Sequence, residues 1–140
     1  MKSKIAAALV VLLCSFAVFA QKQTGQIPSG AKVFIAPMPN GFDTFLKAAI
    51  VNKKVPVVVV SDKSTAQFEI TGASESQKAG AAKILLMGDW RSTEDASIQV
   101  ANLASGEVVY AYSVHEQNSN HGRQSAAESC AKHLKEKIGQ

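Results

Sequence analysis

Sulfur and imidazole are scarce in this chain, and each scarcity excludes something. Of its two cysteines, Cys14 falls in a leader segment and leaves Cys130 alone. One thiol cannot close an internal disulfide, so the fold must rest on its core, which about 120 residues can supply. His115, His121 and His133 are the whole imidazole supply, and no Cys-x-x-Cys or His-x3-His pair occurs. The expected metal set is therefore empty. Gly-x-Ser-x-Gly is absent, and no glycine-rich phosphate loop follows a strand. Neither catalytic residues nor a cofactor are expected, and the chain reads as a non-enzyme.

Charge of one sign is also lacking. The chain carries 15 basic and 11 acidic residues, and removing Lys2 and Lys4 with the leader leaves a net charge of only +2. The basic residues are scattered rather than striped, which argues against a nucleic-acid partner. Lys53, Lys54, Lys132, Lys135 and Lys137 read as solvated faces near helix C-termini, where the helix dipole favours cations.

Only one long apolar run is present. Lys2 and Lys4 precede uncharged residues 5–20, which close on Val18-Phe19-Ala20. This is the pattern of a secretory signal peptide cut before Gln21. The run is shorter than the ~20 apolar residues of a membrane span, which disfavours an uncleaved anchor. A lipidated Cys14 would need a small residue where Leu13 stands. The organisation expected is a signal peptide at 1–20, a flexible lead-in at 21–31 and a single α/β domain at 32–140. Export to the periplasm or extracellular space follows, with membrane contact only through an uncleaved or lipidated leader.

What is present is alternation. Two runs with apolar residues at every second position flank a turn ending at Gly106, the form of a β-hairpin over residues 95–115. A three-residue loop at 104–106 makes every cross-strand pair sum to 210. Val100 then faces Tyr110, Ile98 faces Tyr112 and Asp95 faces His115. Ile98, Val100, Tyr110 and Tyr112 form the core face, while Ser97, Gln99, Ala101, Val109, Ala111 and Ser113 form the other.

Upstream, residues 32–36 read as a buried strand. Asn40 is the expected N-cap of a helix whose stripe is Phe42, Phe45, Leu46, Ala49 and Ile50, with Asp43 in its first turn. The four valines 57–60 suggest a central strand covered on both faces, parallel to the first. Residues 61–65 form a turn, and 68–71 a third strand with a possible bulge at Gly72. Residues 79–87 are open between a strand and a short helix. Glu94-Asp95 reads as a solvated turn. A polar loop over 116–123 precedes a final helix with a capping box at Ser125 and Glu128 and a stripe of Ala127, Cys130, Ala131, Leu134 and Ile138. The fold class is thus α/β (α+β): a mixed sheet of four to five strands with two helices packed on it.

That order, with residues 32–37, 65–72 and especially 100–109, resembles a group of bacterial envelope domains. They are the curli-secretion channel lipoprotein, the periplasmic activator lipoproteins of penicillin-binding proteins, and the N-terminal domain of the Tol translocation protein. The resemblance implies an assembly or protein-binding accessory domain of the envelope. The group's helix between its second and third strands shrinks here to 62–65. Residues 79–87 are too short for a membrane-inserting hairpin, so no pore role is implied.

The residues singled out for interaction are Trp90, Arg91, His115 and His121. The leading expectation is binding to an envelope protein or self-association, through an exposed sheet edge or residues 73–93. The alternative is a small ligand or metal held by His115, His121 and Trp90. Cys130, on an apolar stripe, is expected to be buried and inert.

Overall fold

Period-two alternation and period-3.6 stripes produce the strands and α-helices of the described residues around one core. The structure is a computed structural model describing residues 25–77, 92–119 and 121–138. In chain order the elements are β1 (Ala31–Ile35), α1 (Phe42–Asn52), β2 (Val57–Val60), β3 (Phe68–Gln77), β4 (Ser92–Asn102), β5 (Val108–Ser119) and α2 (Gly122–Ile138). The strands form a five-stranded mixed sheet in the order β2-β1-β3-β4-β5. β1 runs parallel to β2 and β3, while β3–β4 and β4–β5 are antiparallel. Both helices pack on one face. This is the expected fold class with its fifth strand present.

The hairpin register holds along most of its length. Asp95 pairs with His115, Ile98 with Tyr112 and Val100 with Tyr110. Near the turn the ladder departs from expectation, because Ala101 pairs with Val108 instead of Val109. The cause is the Asn102 side chain, whose Oδ1 accepts from the amides of Ala104 at 2.8 Å and Ser105 at 3.3 Å. This local turn closes the chain early, and β5 absorbs the extra residue as a bulge. Val109 consequently packs against the core, and Val108 is exposed. Gly106 has φ 72°, the left-handed conformation expected of it.

The helix stripes meet the sheet as anticipated, with one exception. Phe42, Leu46, Ala49 and Ile50 are buried, whereas Phe45 is 39% exposed. All five stripe residues of α2 are buried, joined by Ala126. Ile27 also enters the core, and the Gly30 amide donates to the Pro56 carbonyl at 2.8 Å.

Four expectations are corrected. Asn40 does not cap α1: it has φ 58°, Gly41 occupies the N-cap position, and the Asn40 side chain instead donates to the Ser74 carbonyl at 3.0 Å. β2 is an edge strand, with Val58 exposed, because both helices lie on the same side of the sheet. A β-branched run reports fit to a pleated surface, not the number of neighbours it has. β5 continues through Ser119, where a polar loop was expected, and α2 begins at Gly122, so Ser125 lies inside the helix. The ladder is unbroken at Gly72, which pairs with Ile98.

Gly72 is required for close approach. A Cβ there would run into the Ser97 backbone carbonyl and crowd Met38 Sδ at 3.2 Å. Gly72→Ala is therefore expected to destabilise the fold by about 1–3 kcal/mol, read as a lower urea midpoint at unchanged m. Asp43 supplies a second test. The Lys47 ammonium bonded to it, together with the Met38 amide, holds its carboxyl below the usual range despite partial burial. A depressed carboxylate stabilises above its unfolded pKa of about 4 and loses that contribution as pH falls through its folded value. Asp43→Asn should cost about 0.5–1 kcal/mol at pH 7 and progressively less as the pH falls through the folded value.

Candidate interaction site

Among the described residues, no helix lies over one face of the sheet. Along β3, β4 and β5 the odd-numbered residues point there: Thr71, Ala73 and Glu75, then Asp95, Ser97 and Gln99, then Ala111, Ser113 and His115. Small side chains make this face flat. Two shallow grooves cross it, one of about 420 Å³ lined by Glu75, Asp95, Ser97, Ser113 and His115. The other, about 400 Å³, is lined by Thr71, Ser97, Gln99, Ala111 and Ser113.

Register places Glu75, Asp95 and His115 in one row across three strands. His115 Nδ1 and Asp95 Oδ1 form the expected cross-strand hydrogen bond, with both side chains about half exposed. An ion pair this wet is worth at most about 1 kcal/mol. His121 directly precedes α2, its carbonyl accepting from the Gln124 amide at 2.8 Å. Among the described residues, no three His, Cys, Asp or Glu side chains converge as a metal-binding group. Trp90 and Arg91 lie outside the described residues.

The polar residue that sequence reasoning missed is Glu94. Instead of a solvated turn it is 1% exposed, and its Oε1 accepts from the equally buried Ser74 hydroxyl. Parity signals this position, because Glu94 shares the core face of β4 with Ala96, Ile98 and Val100. The Ser74 carbonyl accepts from Asn40, whose own carbonyl accepts from Arg123 Nη1 at 2.9 Å. This polar chain ties β4, β3, the turn before α1 and the start of α2 together.

At the outer edge, Tyr112 stacks on the His133 ring with centroids 4.4 Å apart, and its hydroxyl lies 3.4 Å from Ser129 Oγ. His133 Nδ1 is bound to Glu136 Oε2 at 3.1 Å. Burial pushes the Tyr110 hydroxyl up from its ordinary value, with the neighbouring Tyr112 adding to the shift. The Cys130 thiol, buried in the core, is pushed up to about 12 by desolvation and is held as the unreactive thiol.

These placements predict unequal costs. Ser74→Ala removes a hydrogen bond from a buried carboxyl and is expected to cost about 1–3 kcal/mol. His115→Ala removes an exposed pair and should cost under about 1 kcal/mol. Urea denaturation of the two variants measures both.

No protein-family model matches the chain, and no curated protein does. Solved structures do. A PelC dodecamer from Paraburkholderia phytofirmans superposes with TM-score 0.59 at 17% identity, over 82% of this chain and 93% of that one. TolB from Acinetobacter baumannii matches with TM-score 0.51 at 11% identity, over 76% of this chain but only 28% of TolB. The protein CT253 from Chlamydia trachomatis matches with TM-score 0.50 at 8% identity, over 78% and 98% of the two chains. At these identities the likeness is one of fold, and the fold is one found among bacterial envelope domains, the class to which the resemblance in sequence pointed.

Proposed function

We propose that this chain is an exported, non-enzymatic accessory domain of the bacterial envelope that works by binding protein, beginning with further copies of itself. The leader at residues 1–20 supports export, and no helix among the described residues is long and apolar enough to cross a membrane. The assembly role draws on the sequence resemblance to envelope lipoproteins and on the PelC neighbour, which is a dodecamer. The observation that carries the reading is β5 itself. It is a 12-residue edge strand whose outer row of main-chain amides and carbonyls has no neighbouring strand among the described residues. Such a row recruits another extended chain by strand addition, which needs no special side chains.

Sedimentation velocity on the chain beginning at Gln21, over a wide range of concentration, tests this. Species with a mass that is a multiple of one chain are expected. A single-chain mass at every concentration overturns the reading.

A further inference from the structure

The two edges of the sheet are unequal. β2 offers four residues, is entered through Pro56 and is left through Asp62 and Lys63, all of which discourage pairing. β5 is guarded less: apart from the bulge at Val109, its acidic residues are confined to Glu107 just before it and Glu116 toward its end. No proline interrupts it, and residues 108–114, Val-Val-Tyr-Ala-Tyr-Ser-Val, carry no charge. Aromatic and β-branched residues dominate that stretch, which makes it a strong template for another strand.

The geometry points to one occupant: the β5 strand of a second copy, paired antiparallel about a two-fold axis near Ala111. This deepens the self-association reading and rests on it. Parity is the first argument. A two-fold axis through a residue pairs positions of equal parity, so Tyr110 and Tyr112 of both copies stay on the helix-covered face, up to the bulge at Val109. Centred on Ala111, Tyr110 of each copy meets Tyr112 of the other, a favourable cross-strand pair.

The helix layer supplies the second argument. α2 packs on β4 and β5 together. With strands about 4.8 Å apart, a two-fold beside β5 sets the two α2 axes ~10 Å from each other, the distance of packed helices. The flank brought together carries His133, stacked on Tyr112, and Glu136, bound to His133. A patch that contacts its own copy must hold both members of every polar pair. An imidazole and a carboxylate on one flank satisfy that condition. The product is a ten-stranded sheet, continuous through β5–β5, with four helices on one face.

Ala111 is exposed and faces its own copy at the axis, so it carries the test. Ala111→Lys and Ala111→Glu are prepared in the chain beginning at Gln21, and circular dichroism checks that each is folded. In sedimentation velocity each variant alone should associate at least about tenfold more weakly than wild type, because like charges meet. Their equimolar mixture should recover association. Wild-type strength in both single variants would place the interface away from β5 while leaving self-association intact. Weakening that the mixture does not relieve would mean a head-to-tail contact, and it overturns the two-fold pairing. A monomeric wild type overturns the pairing and the reading beneath it together. Ala111→Cys keeps the question open to a second measurement if the charged variants do not fold. Mild oxidation should then link two chains at residue 111, and an associating variant that resists linkage overturns the pairing.

Discussion

Everything in the described part of this domain depends on a sheet whose two helices cover the same side. With α1 and α2 on the same face, each strand must alternate, and a one-residue slip would exchange the core for the solvent face. Ile70, Ile98 and Val100 are buried because they share the parity that points at the helices. Ser74 and Glu94 share it too, and this is why two polar residues are sealed in the interior. The ladder holds them there, and their mutual hydrogen bond offsets the desolvation that follows. The polar chain through Asn40 to Arg123 is thus a consequence of register as much as a cause of stability.

The same constraint explains which features could be read from sequence. Residues 95–100 and 110–115 alternate cleanly around a glycine, so their pairing followed from period alone. The bulge at Val108 and Val109 did not, since it is set by one side chain, Asn102, folding back on the amides after it. The helix stripes were legible because 3.6-residue periodicity is long-range, yet the start of α2 was misplaced by four residues. The Ser125–Glu128 pattern fits a cap in isolation, and only the chain reversal after β5 moves the start to Gly122. The strand identity of 57–60 was legible and its edge position was not, because neighbours are chosen by topology. Polar strand ends at 74–77 and 116–119 escaped notice since the adjoining ladder, not their composition, keeps them extended. Of the interaction residues, His115 was placed with its partner Asp95, whereas Glu94 was missed although its parity was in view.

A covered face and an open face also divide the labour of the molecule. The open face is flat and lined with small residues, and its one charged row, Glu75, Asp95 and His115, is wet. Its grooves are shallow and lack the enclosure that small-ligand pockets use to desolvate what they bind. The β5 edge differs, because among the described residues no strand flanks it and it lies beside the partly buried rings of Tyr110 and Tyr112. Binding there gains hydrogen bonds in register and extends a core that already exists.

Recognition by main chain makes few demands on side-chain identity. It also creates a problem of selectivity, because any extended strand can offer amides and carbonyls. Specificity must then come from what flanks the strand. Here the flank is α2, with His133 fixed by Tyr112 on one side and Glu136 on the other. A foreign strand would pair with β5 and leave that helix flank uncovered. A second copy covers it with its own, so the helix supplies the discrimination that the bare edge lacks.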